Sequence, residues 1–209
     1  GPCAFMDTYE SNKTFSSIDH QGRYGFGNQG PIAHWNLARF AETLVPLLAS
    51  DTDQGVAIAE EALDRFVGMY ERQLQRRFKA KIGLGFEADE VDTEEDPDWE
   101  LVRDLLTLME DGKADFTLVF RHLSEVLESN SDEKVLALFD CTTEMVAWLK
   151  AWRARVAEVD GGAAVALMHR SNPIFIPRNH RIEEVIEAAT TPVPEDVWQA
   201  FEAEVGIRG

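Results

Sequence analysis

PIAHWNLARFAETLVPLL, residues 31–48, decides the fold class of this 209-residue chain. Ile32, Trp35, Leu37, Phe40, Leu44, Leu47 and Leu48 recur there mostly at three-to-four spacing. At 3.6 residues per turn, that spacing gathers side chains on one face of a helix. Pro31 suits the first helical position, where its missing N–H costs nothing. Pro46 predicts a kink or an end, because its ring removes a helix hydrogen bond and crowds the preceding turn.

The helical period continues towards the C-terminus. Asp51 or Asp53 is placed to cap a helix over 54–81, with Ile58, Leu63, Phe66, Tyr70, Leu74 and Phe78 as its buried stripe. Nine acidic residues between Glu87 and Glu100 predict a solvated acidic loop. Helices follow near 98–110 and 115–127. A long one, capped by Ser131 or Asp132, is predicted to carry Leu136, Phe139, Met145, Trp148, Leu149 and Trp152 up to a break at Gly161-Gly162. Short helices over 163–169, 182–189 and 195–205 complete the chain. No stretch has the period of two that a half-buried strand needs. The expectation is an all-α chain of about eight helices, with 31–209 as one domain.

Residues 1–30 read differently. Gly22, Gly25, Gly27 and Gly30 fall within nine positions, as in a loop that bends sharply or approaches another backbone closely. Phe15, Ile18, Tyr24 and Phe26 set it apart from a flexible linker, which rarely carries so many large apolar groups.

A net charge of −18 argues against a nucleic-acid surface, which needs clustered cations. The cluster Arg72, Arg76, Arg77, Lys79 and Lys81 reads as a basic helix end favourable to the helix dipole. No apolar run approaches the roughly 18 residues of a membrane span. Cys3 and Cys141 make no disulfide framework. His20, His34, His122, His169 and His180 show no zinc spacing. Walker-lysine and G-x-S-x-G signatures are missing too. No catalytic, cofactor-binding or metal-binding residue is therefore assigned within the chain.

Three ordered blocks carry a resemblance. The first contains Asp19, Gly22, Arg23, Tyr24, Phe26, Asn28, Gln29, Trp35, Asn36, Leu37, Arg39 and Ala41. The second is ADFTLVFRHLS, residues 114–124, and the third contains Asn172, Pro173, Arg178 and Asn179. Together they resemble the selenoprotein O family, also called the YdiU family, of pseudokinase-like protein adenylyltransferases. Gly30 departs from the pattern, which often has proline there, and residues 14–20 carry no thiol of the kind some members use for redox control.

Gly1-Pro2 reads in two ways: as the remnant a protease leaves on a recombinant protein, or as native sequence. In the family, the latter continues a D-Y-G-P motif whose Asp binds magnesium. On that reading the resemblance implies a C-terminal fragment, the helical C-terminal lobe of a kinase-like fold, with 1–30 as an activation-segment-like region. The full-length parent would use ATP and magnesium to place AMP on Ser, Thr or Tyr hydroxyls of proteins. The nucleotide and metal ligands would lie upstream of Gly1, leaving this chain alone inactive. Its partners would be that missing catalytic part and the parent's protein substrates, with self-association of the isolated chain through the uncovered face. Members would be cytoplasmic in bacteria and mitochondrial in eukaryotes.

By kinase analogy, Asn36 is a candidate strut for the catalytic-loop backbone, against a solvent-facing alternative. Arg23 and Arg178 read either as contacts to the activation segment or substrate, or as partners in buried ion pairs with Asp19 or Glu183; the ion-pair reading is favoured. Asn172-Pro173 is expected to fix a tight turn onto the body. The competing class of function is an independent all-α interaction module with an acidic face for a basic partner.

Overall fold

The computed structural model describes residues 5–85, 96–140 and 142–190. Gly1, Pro2, most of the acidic stretch 87–100 and the expected helix over 195–205 lie outside the described residues. The described chain is all-α, and its sole extended pairing is one antiparallel bridge, Thr8 with Asp115. A 3-10 turn, Phe26–Asn28, leads into α1 (Gln29–Leu48). There follow α2 (Thr52–Lys81), α3 (Pro97–Asp111), α4 (Phe116–Ser129), α5 (Glu133–Leu136), α6 (Thr142–Val156), α7 (Gly161–Ser171) and α8 (Asn179–Thr190).

Local chemistry sets most of these boundaries. Asp51, Asp96, Asp115 and Asp160 each precede a helix and accept hydrogen bonds from its first free N–H groups. Asn130 closes α4 in the left-handed conformation, which its short polar side chain tolerates. Pro46 lies inside α1, two residues before its last, so the helix runs through it to Leu48.

The chain forms two compact units that divide after Phe175. In the first, α3 packs on α6, and α4 on α5 and α7, while α2 meets α3 and α7 at its C-terminal end. The core is Val102, Leu105, Met109, Val119, Phe120, Leu123, Met145, Leu149, Trp152 and Met168, all essentially inaccessible. Trp152 stacks with Trp148 at 5.6 Å, and both indoles are satisfied by carbonyls: Trp152 Nε1 donates to Ile82 at 2.8 Å, Trp148 Nε1 to Leu101 at 2.9 Å. Lys79–Asp96 (2.7 Å) and the two-pronged Arg155–Asp98 contact (2.6 and 3.1 Å) fix the start of α3. The second unit contributes α8, whose first turn is closed by the Arg178 carbonyl accepting from the N–H groups of Arg181 and Ile182.

Three expectations need correction. The single helix from Asp132 to Trp152 is two, α5 and α6. Leu138 and Phe139 close α5 with i-to-i−3 bonds, and the reversal brings Arg153 of α6 back onto the Asp132 carboxylate. Gly161-Gly162 opens a helix rather than breaking one, because Asp160 caps it. The apolar faces of the first two helices are mostly not buried. Only Gly30 is buried in α1, and in α2 Ile58 is exposed while Gly55, Ala59, Phe78 and Lys79 are the buried positions. The cause is geometric: α1 and α2 pack closely on each other as a hairpin, so close that a Cβ on Gly55 would lie 2.7 Å from the Val45 carbonyl oxygen.

Candidate functional site

Between Asp19 and Gln29 the backbone has no regular structure before Phe26, yet the polar side chains close it on itself. The Asp19 carboxylate accepts from the N–H groups of Arg23 and Tyr24, both at 2.8 Å. Asn28 Nδ2 donates to the Gly22 carbonyl at 2.7 Å. Gln29 Nε2 donates to the carbonyls of Tyr24 and Gly25, at 2.8 and 3.1 Å. Gly22 sits at φ +65°, where a Cβ would be strained. Asp19, Gly22, Asn28 and Gln29 are thus committed to the loop's own backbone, replacing the ladder bonds an irregular segment lacks.

The loop is also tied to the body. Phe26 and Gly27 donate their N–H groups to the carbonyls of Lys13 (2.9 Å) and Ser11 (2.8 Å). Upstream, Tyr9 N–H donates to the Ala114 carbonyl (2.9 Å) and Phe116 N–H to that of Asp7 (2.7 Å). The hydroxyl and N–H of Ser11 both donate to Glu110 Oε1, at 2.7 and 3.0 Å, which holds that carboxyl below its ordinary pKa. Burial, with help from the Glu110 charge, raises the phenol of Tyr9. The rings of Tyr9, Phe26 and Phe116 meet at 5.6–6.0 Å beneath the loop.

On the outer side, the Arg23 guanidinium lies 4.4 Å from the Trp35 ring centroid and 5.8 Å from that of Tyr24. Arg39, one helical turn beyond Trp35, approaches the same indole at 5.7 Å and pairs with Glu42 at 2.5 Å. Arg23, Tyr24, Trp35 and Arg39 are all exposed. The buried Asp19–Arg23 ion pair favoured from sequence is therefore wrong. Asp19 is taken by two backbone N–H groups held in place by the turn, and Arg23 finds an aromatic face instead. Asn36 is exposed on α1, and no side-chain hydrogen bond joins it to another described residue.

Within the first unit, Asn172 and Pro173 of the third block lie away from this loop. Asn172, 3% exposed, donates Nδ2 to the Lys81 carbonyl (2.8 Å) and, more weakly, to that of Phe120 (3.5 Å). Lys81 returns the contact, with Nζ 3.2 Å from Asn172 Oδ1 and 3.3 Å from the Ser171 carbonyl. Its ammonium lies 5.0 and 5.6 Å from the ring centroids of Phe120 and Phe116, and burial lowers its pKa to about 8. Pro173 is exposed. Arg178 and Asn179 belong to the second unit, where Arg178 is half-buried and precedes α8. Glu183 is exposed, so those two residues form no buried pair.

The structure thus assembles Asp19, Gly22, Arg23, Tyr24, Asn28, Gln29, Trp35 and Arg39 in one region, with Asn36 beside them on α1. Asn172 is placed at the junction of α2, α4 and α7. Sequence reasoning missed the Ser11–Glu110 clamp and the half-buried Lys81. Neither has a local signal, since 99 residues separate the first pair and 91 separate Lys81 from Asn172.

Comparison with known proteins settles the family. The sequence model described as Protein adenylyltransferase SelO matches residues 1–205. This chain belongs to the SelO family. Its relatives in that family include proteins named Protein nucleotidyltransferase YdiU. The one from Rhodopseudomonas palustris (strain HaA2) is 46% identical over 205 residues, covering 97% of this chain and 40% of the relative. That from Alkaliphilus metalliredigens (strain QYMF) is 46% identical over 192 residues, 90% of this chain and 36% of the relative. That from Rhizobium meliloti (strain 1021) is 43% identical over 204 residues, 96% and 40% respectively. The chain therefore spans about 40% of the length of the SelO relatives it matches. No helix among the described residues is long and apolar enough to cross a membrane.

The described residues hold no group of three or more His, Cys, Asp or Glu placed to bind a metal ion. Buried Lys79 is committed to Asp96, and half-buried Lys81 to two oxygens of residues 171 and 172. Burial pushes the Asp96 carboxyl up, but hydrogen bonds from Lys79 and the N–H groups of Asp98 and Trp99 outweigh it and hold its pKa below the ordinary value.

Proposed function

We propose that the chain is the C-terminal, kinase-like helical part of an ATP- and magnesium-dependent protein adenylyltransferase that places AMP on Ser, Thr or Tyr hydroxyls of proteins. The observation that carries this reading is the family match across residues 1–205 at only about 40% of the relatives' length. Transfer of AMP needs its phosphate charges neutralised and its reactants positioned. In this reading the phosphate-neutralising groups belong to the rest of the parent, and no catalytic step is assigned to the described residues. Their part is structural: the self-braced loop 19–29 serves as the activation-segment-like element, and the Arg23–Trp35–Arg39 surface faces substrate. Asn36, exposed beside that surface, is the strut towards the parent's catalytic loop. The exposed apolar residues of α1 and α2 support a face that the rest of the parent covers and through which the isolated chain self-associates.

Calorimetric titration of magnesium–ATP into the 209-residue chain is expected to give no binding in the micromolar range, and light scattering of the same sample a mass above the monomer. Micromolar ATP binding overturns the assignment of nucleotide chemistry to the upstream part. A monomeric mass at high concentration overturns the uncovered face.

A further inference from the structure

We propose that the Arg23–Trp35–Arg39 surface is a docking site for an acidic peptide segment, one that presents Asp or Glu carboxylates beside an apolar residue. This deepens the reading above by naming the substrate class, and it rests on that reading only for the word substrate.

The first argument is geometric. A guanidinium stacked on an indole uses its flat face for the ring and keeps its in-plane N–H groups for an acceptor. The Arg23 guanidinium carbon lies over the Trp35 ring, 4.4 Å from its centroid; the side chain is exposed and in no ion pair among the described residues. Its N–H groups match a carboxylate two at a time. Arg39 brings a second fork to the same indole, 5.7 Å from its centroid. Its bond to Glu42 joins side chains more than half exposed, an interaction weak enough for an incoming carboxylate to displace.

The second argument is charge. Residues 5–50 carry Lys13, Arg23 and Arg39 against Asp7, Glu10, Asp19 and Glu42, a net of −1, while the whole chain has −18. Two of those four carboxylates are already engaged locally, Asp19 by backbone N–H groups and Glu10 by Lys13 at 2.6 Å. An acidic segment repelled by most of this molecule is therefore admitted here, which selects its landing place as well as its chemistry.

The third argument is rigidity. Asp19, Asn28 and Gln29 fix the backbone on either side of Arg23, so little ordering remains to be paid on binding. Exposed Tyr24 and Trp35 offer the apolar margin for the neighbouring residue of the segment.

The test uses the 209-residue chain without nucleotide and a fluorescein-labelled peptide, acetyl-EEFSEE-amide, read by anisotropy at low and high salt. Binding is expected to exceed that of the QQFSQQ peptide and to weaken with salt. The R23A and R39A variants are each expected to weaken it about tenfold. The R23K variant, which keeps the charge and loses the fork, is expected to weaken it nearly as much. Equal binding of the Glu and Gln peptides, or full affinity in R23A or R23K with unchanged circular dichroism and melting, overturns the proposal. Binding only by a phosphoserine peptide of the same length assigns the surface to phosphate and overturns the carboxylate assignment. None of these readouts depends on adenylyl transfer, so a failure of the proposed function leaves them interpretable.

Discussion

In α6, Met145, Trp148, Leu149, Trp152 and Val156 are all buried; in α1, Trp35, Leu37, Phe40, Leu47 and Leu48 are all exposed, Leu47 by 81%. Both helices carry apolar residues at helical spacing. The difference lies in what each helix meets. α6 packs on α3 and α5 of the body. α1 meets chiefly one long partner, α2, and a two-helix hairpin leaves the outer faces of both helices to solvent. Exposed apolar residues grouped on one face in this way are where interaction surfaces are found. The two regions also use polar side chains differently. In the body, Lys79–Asp96, Arg155–Asp98 and Asn172–Lys81 join elements far apart in sequence. Beside the hairpin, Asp19, Asn28 and Gln29 bond backbone within six residues of themselves. The polar side chains of the body make tertiary bonds, whereas those of the loop bond locally.

Four measurements break or sharpen that contrast. The largest effect belongs to the body. Trp152→Ala is expected to cost about 3–5 kcal/mol in urea unfolding, since it empties a sealed site and strands the Ile82 carbonyl. Trp35→Ala, made in parallel, should cost less than about 1 kcal/mol. Similar losses at the two sites would erase the distinction.

Asn172→Ala is expected to cost about 2–3 kcal/mol, because it removes a buried donor to the Lys81 carbonyl and an acceptor for Lys81 Nζ. The melting temperature should fall while far-UV circular dichroism stays helical. No change in melting would show that α2, α4 and α7 hold together without it.

Lys81 gives a pH signature of the body. Its folded pKa of about 8 lies below its ordinary value, so between those limits the unfolded chain binds more protons than the folded one. Stability from this group therefore rises with pH above about 8, by about 2 kcal/mol at pH 9.5 relative to pH 7. The comparison is wild type against Lys81→Met. The raised phenol of Tyr9 acts in the opposite direction but only above about pH 10, where unfolded tyrosine ionises first. A flat difference between the two proteins from pH 7 to 9.5 would contradict the buried ammonium.

The smallest global effect is expected in the loop. Asp19→Ala should lower overall stability by about 1 kcal/mol or less, yet speed amide exchange at Arg23 and Tyr24, whose N–H groups it caps. Unchanged exchange there would mean that Asn28, Gln29 and the aromatic contacts suffice.

The amino-acid sequence by itself determined the helices. Periodic apolar residues and capping aspartates act within one or two turns, so helix class and most boundaries were legible, as at Asp51 and Asp115. The family blocks were legible for the same reason. Helix partners were not. Whether Phe40 or Trp152 is buried depends on which surface comes to meet it, and both look alike as apolar residues on a helix. The break between α5 and α6 was hidden because the apolar period runs through it, and the return of Arg153 to Asp132 is a contact 21 residues long. Likewise Asp19 and Arg23 invite an ion pair on charge alone. Only the folded turn decides that two backbone N–H groups reach the carboxylate first, turning the arginine towards Trp35 and making a loop residue part of a surface.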